Sequence, residues 1–283
     1  MNKVNLTVPE RDFASREAFK SLRANLQFCG ADIKTVGVTS CVANEGKSTI
    51  VLDLGIALAE SGKKTLVIDA DMRNSIMMGM TSASIVSESP LKGGEKLKGL
   101  SHFLSGQSTI KDIVNATNIP NFYIIFSGPF PPNPSELLEG TYFKKMIGNL
   151  RNIFDYILID TPPIGLVIDA AIVSEVCDGS ILVIASKEIS YRFAQDAKEQ
   201  MERSNTPVLG VILNKVETQN ESYGKYGKYG KYGRYGKYGK YGSYGYYGQR
   251  SQDGDRTQQE QVSIDLMAGL KEDTKEQKEN ANV

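Results

Sequence analysis

The chain has 283 residues, 33 basic and 33 acidic, for a formal net charge of zero, with three cysteines and one histidine, His102. A single imidazole comes close to excluding a histidine-based metal site or a Ser-His-Asp triad, and three cysteines without a close-spaced pair (Cys29, Cys41, Cys177) argue against a disulfide framework and for a reducing cytoplasm. No apolar run approaches the ~18–20 residues that span a bilayer, and "MNKVNLTVPERDF" is too polar for a signal peptide, so the sequence predicts a soluble chain whose membrane role, if any, comes through a partner.

In chain order, Ser15 to Phe28 places Phe19, Leu22, Leu26 and Phe28 at roughly helical spacing, and the helix is expected over about 13–28. "IKTVGVTS" (Ile33 to Ser40) is short, β-branched and strand-like. "KSTIVLDLGIALAES" (Lys47 to Ser61) predicts a helix closed by Gly62, and "KTLVIDAD" (Lys64 to Asp71) a second strand. Thr81 to Gly99, rich in Ser, Gly and Lys, reads as a mobile loop. "NFYIIFSG" (Asn121 to Gly128) predicts a third strand, followed by a proline-locked turn into a helix near Ser135. Three more strands are expected at Phe154 to Pro163, Gly179 to Ser186 and Val208 to Lys215. Apolar strands that do not alternate, separated by helices, indicate an α/β fold with a parallel sheet covered on both faces. The fold is expected to end near Val216. Beyond it lie a Tyr/Gly/Lys segment at 218–248 and a polar stretch at 249–283, expected to be disordered.

"TSCVANEGKST" sits between the first predicted strand and the helix at Lys47. The pattern of Gly, four residues, then Gly-Lys-Ser/Thr needs that setting, because backbone N–H groups of the loop and helix N-terminus must point at phosphates. Gly46, Lys47 and Ser48 match, and Cys41 stands where the first glycine would be. The loop residues Ala43, Asn44, Glu45, Gly46 and Thr49 are therefore candidates for ATP contact. Lys47 would neutralise β- and γ-phosphate charge, and the Ser48 hydroxyl would ligate Mg²⁺, which takes hard oxygen donors. "LVIDADMR" and "YILIDTPP" each end an apolar strand in aspartate, at the sheet edge where ligands bind. Asp69 and Asp160 are candidates to hold Mg²⁺ directly or through water. Asp71, two residues on, points the same way if strand geometry persists and could accept a proton from an attacking hydroxyl. Arg73 could contact phosphate or a neighbouring subunit, or be simply solvated.

Together "CVANEGKST", "LVIDADMR" and "ILIDTPP" resemble the Walker A, A′ and B motifs of the bacterial tyrosine kinases, and the resemblance runs from Phe13 to Val216, including "GPFPPNPSELL". Within that family the chain looks like the capsular or exopolysaccharide kinases of Gram-positive bacteria. The resemblance implies a P-loop fold of the MinD/ParA kind over 1–217, with ATP and Mg²⁺ as cofactors. It implies Lys47 and Ser48 at the phosphates and metal, Asp69 and Asp160 at the metal, and Asp71 as base. It also implies a ring-like homo-oligomer, a separate membrane-spanning activator recruiting the chain to the inner face of the membrane, a cognate tyrosine phosphatase, and polysaccharide-pathway substrates. The family's charged oligomerisation pattern reads Glu17, Lys20 and Arg23 here, residues that share a helix face, with lysine replacing an arginine fork. By analogy with related ATPases, Asn214 could contact the base; a structural asparagine at a strand end is the competing reading.

The tail places Tyr223, Tyr226, Tyr229, Tyr232, Tyr235, Tyr238, Tyr241, Tyr244, Tyr246 and Tyr247 among glycines, with five lysines and one arginine between Ser222 and Gly248. In the resembled family such a cluster is autophosphorylated. Glycine beside each tyrosine presents it without steric cost. Each phosphate adds about −1.5 to −2 charges, enough to turn a basic segment strongly negative. Two other readings compete. Partition and cell-division ATPases share the fold, but their signature lysine is replaced by Val42. An interaction protein whose tail binds nucleic acid also fits the aromatic and basic interleaving, and salt-dependent RNA affinity of the isolated tail would favour it.

Overall fold

The computed structural model of the chain describes residues 1–85, 97–204 and 206–216. In chain order these form β1 (Asn2–Asn5), α1 (Phe13–Phe28), β2 (Thr35–Ser40), α2 (Lys47–Glu60), β3 (Thr65–Asp69), α3 (Met77–Met80), β4 (Ser84–Ile85), α4 (Leu100–Leu104), α5 (Ile110–Ile113), β5 (Asn115–Thr117), β6 (Phe122–Ile125), α6 (Pro134–Glu139), α7 (Thr141–Leu150), β7 (Tyr156–Asp160), α8 (Asp169–Ser174), β8 (Gly179–Ala185), α9 (Tyr191–Glu202) and β9 (Val208–Asn214). One sheet joins all nine described strands in the order β4-β1-β5-β6-β3-β7-β2-β8-β9.

The central run β6-β3-β7-β2-β8-β9 is parallel throughout. The strands from β6 to β8 in this run are apolar on both sides because each side meets helices, whereas the edge strand β9 leaves Val211 and Leu213 exposed. Leu66 and Ile68 of β3 enter one cluster with α4 to α8, whereas Val67 enters the other with α1 and α2. Helix α2 is wedged between α1 and the sheet and is buried almost all round, which explains its unbroken apolar sequence. Asp12 caps α1 by accepting from Ser15 N at 2.8 Å. Gly62, at φ +85°, turns the chain out of α2 as its position predicts.

The predicted parallel sheet holds at the centre and needs correction at one margin. Nine strands are present against six expected, and β1–β4 and β5–β6 pair antiparallel. The added strands are short and polar, so they carry no apolar run to betray them. β1 buries Val4, and β5 buries Asn115, whose amide donates to Ile113 O and Ile124 O at 2.8 and 3.1 Å. The loop expected over Thr81 to Gly99 is built in at both ends. Ser84 and Ile85 pair with Asn5 and Val4, and Gly99 packs against the Gly128 backbone. Residues 86–96 and everything after Val216, including all the tail tyrosines, lie outside the described residues. Among the described residues no helix is long and apolar enough to cross a membrane.

Candidate active site at the strand ends

Strands β3, β7 and β2 are parallel neighbours, so their C-terminal ends open on one edge of the sheet. β3 and β7 are in register there, with Asp69 directly opposite Asp160. The chain leaves β2 through the loop Cys41–Gly46 and enters α2 at Lys47. Asn44 at φ +66° and Gly46 at φ +86° give the loop its reversal of hand. The turn after β7 is sewn to β2. Thr161 Oγ1 donates to Val38 O at 2.9 Å, and Thr39 Oγ1 donates to Pro162 O at 2.9 Å.

Lys47 is buried, and its ammonium lies among carboxylates. Nζ donates to Asp71 Oδ2 at 2.9 Å and stands 3.4 Å from Asp160 Oδ1, with Ser48 Oγ at 3.3 Å. Burial works against the ammonium, but the charges of Asp160 and Asp71 outweigh it and hold its pKa above the ordinary value. Asp69 accepts from Ser75 Oγ at 2.5 Å. Burial first, then the Asp160 charge, push its pKa up to about 7. Burial also raises Asp160, against the pull of Lys47. The phosphate-loop lysine, the adjacent hydroxyl and all three predicted carboxylates thus meet at one place.

Asp69 Oδ1 is buried without a hydrogen-bond partner, and the buried Asp160 Oδ1 faces the Lys47 ammonium at 3.4 Å. With the Ser48 hydroxyl they offer hard oxygens on adjoining elements, a donor set that suits Mg²⁺. Among the described residues no cluster of three His, Cys, Asp or Glu side chains forms a metal cage.

Other predicted residues are engaged differently from expectation. The Glu45 carboxylate is turned inward and fully buried, accepting from Val42 N and Ala185 N. The Asn214 amide donates to Glu45 O at 2.8 Å, which is the structural alternative for that residue. Thr49 Oγ1 faces Met80 Sδ at 3.4 Å, while Ala43 and Asn44 are exposed. Arg73 is exposed but not free. Its fork grips the buried Asp169 at 2.8 and 3.0 Å, and Ser135 Oγ bonds both. Glu17 and Lys20 pair at 2.7 Å on the exposed face of α1, but Arg23 leaves that face and donates to Ala57 O of α2. Ser75, Ser135, Asp169 and Ala185 escaped the sequence reading because each acts on a residue whose position only the fold reveals. Cys41 is buried in the loop, its thiol pushed up to about 12 by burial and the Glu45 charge.

A strand-to-helix phosphate loop facing paired acidic strand ends defines a P-loop nucleotide-binding protein. The profile of the AAA domain family matches residues 34–203. The tyrosine-protein kinase CpsD of Streptococcus agalactiae serotype III (strain NEM316) is 48% identical over 210 residues, 74% of this chain and 86% of the relative. The tyrosine-protein kinase YwqD of Bacillus subtilis (strain 168) is 34% identical over 226 residues, 79% of this chain and 90% of the relative. The crystal structure of the chimerical protein CapA2B2 superposes with a TM-score of 0.65 at 29% identity, covering 75% of this chain and 92% of that one. The chain belongs to the bacterial tyrosine-protein kinase family. The fold alone extends further, to MinD of Pyrococcus horikoshii at 22% identity and a TM-score of 0.52.

Proposed function

We propose that this kinase transfers the γ-phosphoryl group of ATP to tyrosine hydroxyls, first those of its own tail cluster on a neighbouring subunit, and so regulates capsular or exopolysaccharide synthesis and export. The observation that carries the reading is the meeting of Lys47, Ser48, Asp69, Asp71 and Asp160 at the loop-bearing sheet edge. Backbone N–H groups of the loop from Ala43 to Thr49 bind phosphate oxygens, and Lys47 balances their charge. Ser48, Asp69 and Asp160 would hold Mg²⁺, which when bound would neutralise charge on the transferring phosphoryl group. Asp71 takes the proton of the tyrosine hydroxyl as its oxygen bonds to the γ-phosphorus and the bond to ADP breaks. The Asp71 carboxylate is held at the loop by its contact with Lys47.

In this reading 1–217 is the catalytic domain, 218–248 the modified cluster and 249–283 a polar extension. The exposed Glu17 and Lys20 contribute to contacts in a ring-like homo-oligomer. The chain works in the cytoplasm, recruited to the inner face of the membrane by a membrane-spanning activator and reset by a tyrosine phosphatase. Support comes from the names of the curated relatives and from the tail composition. The test is to incubate purified full-length protein with ATP and Mg²⁺ and follow phosphotyrosine. Signal is expected in the native chain and not in Lys47→Ala. ATP hydrolysis without phosphotyrosine would favour the MinD-like ATPase switch instead.

A further inference from the structure

Glu45 is a charged side chain with no exposure to solvent, and the reaction as derived gives its carboxylate no role. Its surroundings do. Oε2 accepts from Val42 N at 2.8 Å, at the start of the phosphate loop, and Oε1 accepts from Ala185 N at 3.0 Å, at the end of β8. A carboxylate is an acceptor at both ends and so satisfies two buried N–H donors at once. The carbonyl of the same residue accepts from Asn214 Nδ2 at 2.8 Å, at the end of β9. The next residue is Gly46, and a Cβ there would lie 2.3 Å from that same Asn214 nitrogen. The asparagine amide therefore fills the space that the glycine leaves, beside the left-handed bend that starts α2. One residue joins the loop's first turn, the ends of β8 and β9, and the step into Lys47 and Ser48.

We propose that Glu45, seconded by Asn214, is a positioning residue of the phosphate loop: its carboxylate fixes the backbone from Val42 to Gly46 in its phosphate-binding shape and couples that shape to the β8–β9 edge, without itself touching the nucleotide. The proposal rests on the nucleotide-binding reading above. Glutamine at position 45 keeps an acceptor for one N–H and turns an amide donor toward the other, so the clasp opens at one end while side-chain volume is retained.

The test compares full-length native protein, Glu45→Gln and Asn214→Ala. Dissociation constants for Mg·ADP and Mg·ATP are measured at a temperature where circular dichroism finds each variant folded, alongside melting temperatures without nucleotide. Glu45→Gln is expected to weaken both nucleotides about tenfold, and Asn214→Ala about threefold. Because both act on one loop shape, the double variant should lose less than the product of the two. A role confined to fold stability would lower the melting temperature and leave the constants of the folded protein within about twofold of native; that result overturns the proposal. Should Glu45→Gln not fold, Asn214→Ala, at a partly exposed strand end, decides by the same criterion. Failure of the native chain to bind either nucleotide would instead reject the nucleotide reading, and this proposal with it.

Discussion

Asp69, Asp71 and Asp160 crowd around a single ammonium, yet their surroundings separate them. Asp71 bonds Lys47 and Asn74 N, Asp69 keeps one buried oxygen without a hydrogen-bond partner, and Asp160 Oδ1 faces the ammonium at the longer distance of 3.4 Å. Asp71→Asn is therefore expected to leave Mg·ATP binding within a few-fold and to cut phosphoryl transfer by ~10²-fold or more. An equal collapse of nucleotide affinity, measured by titration, would make Asp71 a metal ligand. Asp69 yields a pH prediction. Its folded pKa is raised from the ordinary 3.8 to about 7. As pH climbs from about 4 the unfolded chain loses this proton first, so stability falls, and the fall is complete once pH passes through about 7. The melting-temperature difference between Asp69→Asn and native protein, taken in chelator, should shift in favour of the variant from pH 4 to 7 and level off above. A shift toward the native chain would contradict the burial argument. These carboxylates and Lys47 were legible in the sequence because strand-end aspartates and "GKST" declare their chemistry locally. The partners of Glu45, Asn214 and Arg73 were not, since they lie 140, 169 and 96 positions away.

At the scale of elements, two junctions hold the site in place. Gly55 lets α2 settle on β3 and β6, for a Cβ there would stand 2.8 Å from Val67 Cγ2 and 2.9 Å from Phe122 Cε2. Gly55→Ala should destabilise by about 1–3 kcal/mol through overpacking, read as a lower urea midpoint with an unchanged slope. The second junction is Arg73 with Asp169 and Ser135, which ties the segment after β3 to the starts of α6 and α8. Lysine cannot reproduce the fork. Arg73→Lys should cost about 1–2 kcal/mol, toward the lower end of the penalty for a disturbed buried acceptor because the arginine is itself about one-third exposed. No measurable loss of stability would mean that the segments hold without it. The central strands were readable because burial on both faces demands unbroken apolar sequence. β1, β4 and β5 were not, because their pairing at the sheet margin relies on backbone hydrogen bonds and a few buried side chains.

At the scale of the whole molecule, the proposal joins a catalytic edge to a basic tyrosine segment on the same chain. From Ser222 to Gly248 that segment spans at most ~80–90 Å when extended, ample reach for an adjacent subunit. Repeated phosphorylation would reverse its charge, so docking onto an acidic site should weaken, and light scattering should show a large oligomer shrinking as phosphate accumulates. The cytoplasmic segment of a membrane-spanning activator should raise autophosphorylation by an order of magnitude or more over the isolated chain; full activity unchanged by any such segment would remove the activator from the account. The central claim, that the Lys47 site of one chain phosphorylates the tail of another, is tested most directly by mixing. A Lys47→Ala chain with its tail intact is combined with an active chain truncated after Thr218, and ATP and Mg²⁺ are added. Phosphotyrosine is expected on the Lys47→Ala chain; no phosphate there, from a truncated partner that remains able to bind ATP, would rule out transfer between chains.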